Sequence, residues 1–173
     1  KADEIESYVT QIISASREDF LSLEVNISEF YLSELVNRIS LYYTEKLSLN
    51  KTEFIIDKFS DCLISGDPDR STEVIQNITE NAVKYGDGRK IHISFAEEDG
   101  CVLMTVSNSG CTLPDSELPH IFDSFWRGSN SGNRSGSGLG LYICRQLMHK
   151  MNGDIFARIN GDLMNCTAVF PKS

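Results

Sequence analysis

The chain has 173 residues, 40% of them apolar and 24% charged, a composition typical of one soluble globular domain with a short appendage. Its formal net charge of −9 argues against a general attraction to nucleic acid or to an anionic membrane surface, so any phosphate site must be local. Five cysteines without a CxxC pair or zinc-finger spacing, and the lack of a long apolar run or signal peptide, indicate a soluble protein with reduced thiols.

The first predicted element is a helix over residues 5 to about 21, where apolar side chains mostly recur at helical spacing. This helix has no apolar partner within its own segment, and the chain begins at Lys1 without a methionine, so we expect a fragment of a longer protein. An extended piece, residues 24–27, then leads to Ser28, which is the predicted N-cap of a second helix.

Two short strands and a third helix come next. Residues 52–59 and 62–65 have strand character, and the turn at residues 66–70 precedes the helix. Pro68 presets the backbone of the first helical turn, while Asp69 can cap the helix or meet the positive end of its dipole.

This third helix has a polar edge. Asn77, Asn81 and Lys84 are spaced by four and then three residues, so they stack on one face, while Val74 and Ile78 turn toward an apolar face. Carboxamide oxygens suit a Mg²⁺ ion that keeps several waters and bridges substrate phosphates, and a lysine neutralises phosphate as a point charge. The pattern favours a nucleotide site, with an ordinary amphipathic helix as the alternative.

The remaining predicted elements are two β-hairpins and two helices. They cover residues 90–96 with 101–107, 154–159 with 163–170, 114–123, and about 139 to 151. Asn108-Ser109-Gly110 ends the second strand of the first hairpin, and an aromatic cluster of Phe122, Phe125 and Trp126 comes after the shorter helix.

Every residue from Gly128 to Gly138 is Gly, Ser, Asn or Arg, so this segment is a linker or a mobile lid. We favour the lid, because the stretch of chain beyond Gly138 is too short to form a domain. The segment ends in Gly136-Ser137-Gly138-Leu139-Gly140-Leu141, where backbone N–H groups can hold phosphate oxygens. The loop lacks the third glycine of a dinucleotide fingerprint and the Gly-Lys-Ser/Thr of a P-loop. A Gly/Ser linker into a core helix is the remaining alternative.

In this order, the asparagine helix, the Asn108-Ser109-Gly110 turn, the aromatic segment from Ile121 to Arg127 and the glycine loop closely resemble the catalytic ATP-binding domain of sensor histidine kinases. The resemblance covers about residues 24–171. It implies an α+β fold, the two-layer α/β sandwich called the Bergerat fold, in which helices cover one face of a mixed, mostly antiparallel sheet. By the same resemblance, residues 1–22 are the end of a dimerisation and phosphoacceptor hairpin, and residues 23–173 are the catalytic domain.

The resemblance also implies roles for the matching residues. Asn81, with Asn77 directly or through water, would ligate Mg²⁺, while Lys84 would meet phosphate. Tyr85 would pack beside the ribose or base. The other implied nucleotide contacts are Asn108, Gly110, Ile121, Phe122, Arg127, Arg134, Gly136, Gly138, Leu139, Gly140 and Leu141. For Arg127 and Arg134 the alternative is a solvated loop charge, which explains Arg134 equally well.

Two features of the site leave alternatives open. Glu80 neighbours the asparagine edge and could assist a nucleophile as a base, or it could be a solvated helix residue. Asn108 stands where the family usually has an aspartate that accepts a hydrogen bond from the adenine amino group. A carboxamide oxygen can still accept, at a loss on the order of 1 kcal/mol, so we expect weaker but real adenine binding. Thr112 and the stretch near Asn165 stand where the family usually has glycines. These replacements put the hinge motion of the lid in doubt more than nucleotide binding.

The implied function is transfer of the ATP γ-phosphoryl to a histidine of the dimerisation domain in two-component signalling, with ATP and Mg²⁺ as cofactors. His92, His120 and His149 all lack the acidic residue and proline expected after a phosphoacceptor histidine, so the fragment alone should bind nucleotide and stay unphosphorylated. The implied partners are the kinase's own dimerisation domain and a response regulator, without nucleic acid or direct membrane contact. The implied location is the cytoplasmic part of a membrane-anchored bacterial sensor.

Other functions stay open on the sequence. A docking module that uses the fold without catalysis and an anti-sigma-type serine kinase both share these motifs. An ATPase of the same fold places a glutamate where Asn77 stands, and a carboxamide cannot take a proton from water. We therefore expect negligible hydrolysis.

Overall fold

The computed structural model describes residues 2–9, 23–132, 136 and 138–173. Residues 2–9 are helical and exposed, while the rest of the predicted first helix, residues 10–21, lies outside the described residues. In chain order the other elements are β1 (Ser28–Tyr31), α1 (Leu32–Leu49), β2 (Glu53–Ile56), β3 (Leu63–Gly66), α2 (Pro68–Tyr85), β4 (Lys90–Glu98), β5 (Cys101–Asn108), 3-10 turns at Asp115–His120 and Ser129–Ser131, α3 (Gly140–Lys150), β6 (Asp154–Asn160) and β7 (Leu163–Pro171).

Five strands form one sheet in the order β2-β4-β5-β7-β6. Strands β2 and β4 are parallel, and the three other neighbouring pairs are antiparallel. Strands β1 and β3 make a separate antiparallel pair. The mixed, mostly antiparallel sheet confirms the predicted α+β fold.

The core lies between the helices and one face of the sheet. On β5, Val102, Met104 and Val106 are buried, while the residues between them are partly exposed, as the alternation of side chains along a strand requires. Helix α2 supplies Val74 and Ile75, both with no exposed surface. Burying each side chain of this size contributes about 1.5–3 kcal/mol relative to leaving it in water. The helices therefore cover one face of the sheet, and the polar edge of α2 is left at the rim of the core.

The predicted N-cap at Ser28 is wrong. Residues Ser28–Tyr31 pair with β3, and α1 begins only at Leu32. In the first turn of α1, the N–H of Ser33 has its hydrogen-bond acceptor in another part of the chain. Asp61 accepts hydrogen bonds from Ser33 N at 2.9 Å and from Ser33 Oγ at 2.7 Å. A carboxylate near the positive end of the helix dipole thus takes the place of a local cap.

Helix α2 is capped by Asp67 and not by Asp69. The Asp67 carboxylate accepts from the N–H groups of Asp69 at 3.0 Å and Arg70 at 3.1 Å, and Pro68 occupies the first helical position. Burial alone would raise the pKa of Asp67, but hydrogen bonds from Asn26 and from these two N–H groups outweigh it, and the net pKa is lowered. Asp69 lies in the first turn, where it meets the positive end of the dipole as predicted.

The other predicted strands and helices overlap the observed ones, and the short helix expected near Pro114 is a 3-10 helix. Among residues 2–9, 23–132, 136 and 138–173, no helix has the length and apolarity needed to cross a bilayer.

Candidate functional site

A cavity of about 440 Å³ opens between α2, the ends of β5 and β7, and the segment that runs from Trp126 to the start of α3. Ligand sites for small molecules usually measure about 300–1,000 Å³ and have mostly apolar walls with a few polar groups. Here the apolar wall includes Ile78, Val106 and Cys166. Burial raises the pKa of the Cys166 thiol to about 12, so this side chain is neutral at physiological pH.

Most of the predicted site residues line this cavity. They are Asn77, Asn81, Lys84, Tyr85, Asn108, Ile121, Arg127, Gly136, Gly138, Leu139, Gly140 and Leu141. Glu80, Gly110 and Phe122 are not among the lining residues, and Arg134 lies outside the described residues. The chemical roles implied for all of them remain predictions.

The polar edge of α2 faces the glycine segment. A Cβ atom built on Gly136 would lie 2.8 Å from Lys84 Nζ, and one built on Gly140 would lie 4.0 Å from Asn77 Oδ1. The Asn77 carboxamide therefore stands beside the first residue of α3, and the Lys84 ammonium stands beside Gly136, four residues earlier in the glycine segment. In any α-helix the first N–H groups have no partner within the helix and carry partial positive charge, which favours an anion. Leu139, which precedes α3, has no side-chain acceptor to cap them.

Gly138 joins the glycine segment to the aromatic segment. Its φ is +75°, and a Cβ atom there would lie 2.4 Å from Trp126 O and 2.6 Å from Phe125 C. Side chains rarely adopt that backbone conformation, and the atoms in the way are backbone atoms that cannot rotate aside. Only glycine therefore fits at this wall of the cavity.

Asn108 is 5% exposed and lies at the end of β5. Its Nδ2 atom donates a hydrogen bond to Ser109 O at 3.1 Å. That bond uses one of the two N–H groups of the amide, so the acceptor atom Oδ1 and the second N–H remain for a ligand. This arrangement supports the predicted role of Asn108 as an acceptor.

Glu80 faces α1. Its Oε1 atom accepts hydrogen bonds from the hydroxyl of fully buried Tyr43 at 2.8 Å and from Lys46 Nζ at 3.1 Å. Burial first, and then the Glu80 carboxylate, raise the pKa of Tyr43 above its usual range. These contacts give Glu80 a structural role at the α1–α2 contact.

We expect Glu80→Gln to lower the free energy of unfolding by about 0.5–1 kcal/mol, since it removes a surface ion pair with Lys46. Phosphoryl transfer by the whole kinase should be unchanged, because Glu80 does not line the cavity. Thermal unfolding and transfer kinetics of the two proteins check both statements. A transfer rate lowered by about 100-fold would instead make Glu80 the base.

Most of the apolar residues that line the cavity were not predicted from the sequence. Val106 could have been found, because it stands two positions before Asn108 and shares its face of β5. Met164 and Cys166 could not, because they reach the cavity through the pairing of β7 with β5, in which Met164 lies opposite Asn108 and Cys166 opposite Val106.

The oxygen ligands in this cavity suit a magnesium ion only if waters and substrate phosphates supply the rest of its coordination. No group of three or more His, Cys, Asp or Glu side chains in the described part of the chain could hold a metal ion. Mg²⁺ commonly keeps several waters and takes one or two protein oxygens together with substrate phosphates. The carboxamide oxygens of Asn77 and Asn81 match that requirement.

Comparison with known proteins agrees with this geometry. The model of the family described as histidine kinase-, DNA gyrase B-, and HSP90-like ATPase matches residues 66–170. The signal transduction histidine-protein kinase BaeS of Escherichia coli is 37% identical over 97 residues, which cover 54% of this chain and 21% of BaeS. The sensor protein VanS of Enterococcus faecium is 27% identical over 163 residues, which cover 92% of this chain and 42% of VanS.

Among solved structures, the catalytic domain of the histidine kinase ThkA has a TM-score of 0.74 and 27% identity, covering 85% of this chain and 96% of that domain. The chain thus spans less than half the length of BaeS or VanS but nearly all of an isolated catalytic domain. It belongs to the family of histidine kinase-, DNA gyrase B- and HSP90-like ATPases, and within that family it is an ATP-binding catalytic domain of the sensor histidine kinase type.

Proposed function

We propose that the cavity binds ATP together with Mg²⁺, and that the bound ATP gives its γ-phosphoryl to a histidine on the dimerisation domain of a longer kinase. The observation that carries this proposal is the approach of Lys84 and Asn77 to the glycine segment, at Gly136 and Gly140. A lysine beside the glycine segment and a carboxamide oxygen beside the first residue of α3, whose helix dipole favours an anion, together suit phosphate groups.

In this proposal the residues around the phosphates position and neutralise them. Lys84 and the first N–H groups of α3 hold phosphate oxygens, while Asn77 and Asn81 hold Mg²⁺. The magnesium ion supplies charge neutralisation and orients the phosphates. Arg127, which lines the cavity, and Arg134 serve the terminal phosphates.

In this proposal the adenine and ribose of ATP contact Asn108, Tyr85 and the apolar wall of the cavity. Buried Asn108 accepts a hydrogen bond from the adenine amino group, and Tyr85 packs beside the ribose or base. Water is not activated for attack, because the position of the general base in hydrolytic members of the fold is taken by Asn77, whose carboxamide cannot accept a proton. The γ-phosphoryl group is thus kept for a protein nucleophile.

The partners we propose are the dimerisation domain of the same kinase and a response regulator. Residues 2–9 form an exposed helix on which Ile5 and Val9 are 62% and 48% exposed, as an apolar edge cut from a larger helical bundle would be. ThkA has been crystallised in complex with the response regulator protein TrrA. Residues 1–22 would be the end of the dimerisation hairpin, and residues 23–173 the catalytic domain of a membrane-anchored sensor, on its cytoplasmic side.

Calorimetric titration with ATP tests nucleotide recognition. We expect Mg-dependent binding by the wild-type chain and about fivefold weaker binding by Asn108→Ala, as for the loss of about 1 kcal/mol from one hydrogen bond. The matched control is Asn50→Ala, at an exposed carboxamide after α1. Equal affinities of wild type and Asn108→Ala would rule Asn108 out. Absence of Mg-dependent ATP affinity in the wild type would favour the docking module instead.

A further inference from the structure

The turn after α2 is tied to the loop that carries Asn108. Asp87 N donates to Ser109 O at 3.1 Å, and Ser109 Oγ donates to Asp87 Oδ1 at 2.7 Å. The same carboxylate accepts from Arg89 N at 3.0 Å and from Arg89 Nε at 2.8 Å. Asp87 therefore holds both its own turn and the residue next to Asn108.

One carbonyl group links Asp87 to Asn108. Ser109 O accepts a hydrogen bond from Asp87 N at 3.1 Å and another from Asn108 Nδ2 at 3.1 Å. The oxygen that receives the Asn108 carboxamide is thus also held by the backbone N–H of Asp87, while the Asp87 carboxylate holds the hydroxyl of the same serine.

The turn after α2 and the loop after β5 are in close backbone contact, which leaves little room for either to move. A Cβ atom on Gly86 would lie 2.9 Å from Asn108 Nδ2 and 3.1 Å from Ser109 O. A Cβ atom on Gly110, whose φ is +77°, would lie 2.4 Å from Asp87 Cβ. Glycine at both positions lets the turn press against the loop.

The Asp87 carboxylate is ionised at neutral pH. The hydroxyl of Ser109, then the N–H of Arg89, lower the pKa of Asp87 to about 2. Hydrogen bonds to an ionised acceptor are shorter and stronger than those between neutral groups.

The direction of the Asn108 carboxamide decides which base the site can accept. With Oδ1 offered to the ligand, the group accepts a hydrogen bond from a 6-amino group. Turned over, it would offer an N–H donor to a 6-oxo group. An aspartate has no such ambiguity, because both of its oxygens accept.

We propose that Asp87, acting through Ser109, is a positioning residue that fixes the Asn108 carboxamide with its oxygen toward the base, so that the site selects adenine over guanine. This inference rests on the proposed nucleotide binding. The inference extends that proposal by naming the residue that sets the choice of base when the hydrogen-bond acceptor is a carboxamide.

The test compares ATP, GTP and purine riboside triphosphate, which lacks a substituent at position 6, by calorimetric titration of the whole chain. Asp87→Ala should weaken ATP binding about fivefold, as for one lost hydrogen bond, leave the purine analogue unchanged and narrow the preference for ATP over GTP. Asp87→Asn keeps an acceptor for Ser109 Oγ, so it should retain most of the wild-type preference. Asp61→Ala, at a carboxylate that also secures a neighbouring segment, is the control and should change none of the three affinities.

Ser109→Ala removes the same hydrogen bond from its donor side and should reproduce the narrowed preference, including in the case that Asp87→Ala fails to fold. Equal loss of ATP and of the purine analogue in Asp87→Ala, or an unchanged ratio of ATP to GTP affinity in either variant, would overturn the inference while leaving nucleotide binding intact. Absence of ATP binding in the wild type would overturn the proposed function and this inference together.

Discussion

Replacing Asn81 with alanine in the full-length kinase should lower the rate of phosphoryl transfer by about 100-fold. Asn81 lines the cavity one helical turn from Asn77 and next to Lys84 on the same edge of α2. Its carboxamide oxygen is, with that of Asn77, one of the two protein ligands we propose for Mg²⁺, and alanine has no atom to replace it. Weaker magnesium binding reduces both the charge neutralisation and the orientation of the phosphates, which are most of what a protein contributes to this reaction.

Transfer from labelled ATP to the kinase's own histidine measures the effect. Gln76→Ala is the matched control, because it removes a carboxamide from the same helix at a position outside the cavity lining, and its rate should equal that of the wild type. An Asn81→Ala enzyme that transfers phosphate at the wild-type rate would remove Asn81 from the proposed magnesium site.

Gly138→Ala should weaken ATP binding by about 30-fold, equivalent to ~2 kcal/mol of backbone strain. Its φ of +75° already disfavours a side chain, and the added Cβ would lie 2.4 Å from Trp126 O. The obstructing atom belongs to the backbone, so either the aromatic segment or the glycine segment must move. Both line the nucleotide cavity.

The control for Gly138→Ala is Gly100→Ala. Gly100 lies in the β4–β5 turn with the same φ of +75°, but a Cβ atom there meets nothing within 4 Å. That variant carries the conformational strain without the collision, so ATP affinity measured by titration should stay at the wild-type value. Equal affinities of Gly138→Ala and Gly100→Ala would show that the close contact at Gly138 does not shape the site.

The asparagine edge could be predicted from the sequence because it depends only on local geometry. Residues four and then three positions apart lie on one face of any α-helix, whatever it packs against. The facing of that edge toward the glycine segment is a tertiary fact, and the sequence indicated it only through the family resemblance. The same local rule explains Glu80, since neighbours in a helix point about 100° apart. Asn81 can therefore line the cavity while Glu80 contacts Tyr43 and Lys46.

The mistaken prediction came from a local signal overridden by a distant contact. Ser28 precedes an apolar run with helical spacing, which is a usual start signal. The pairing of Ser28–Tyr31 with β3, more than thirty positions away along the chain, keeps this segment extended instead. Asp87 was missed for a similar reason. It stands in an ordinary turn, and its contact with Ser109 arises only when β4 and β5 pair in register.

A crystal structure of this chain with Mg²⁺ and a non-hydrolysable ATP analogue is the most direct test. We predict triphosphate density between Lys84 and the start of α3, with the adenine amino group within hydrogen-bonding distance of Asn108 Oδ1. A nucleotide bound elsewhere, or a base turned away from Asn108 with its phosphates remote from Lys84, would contradict the account.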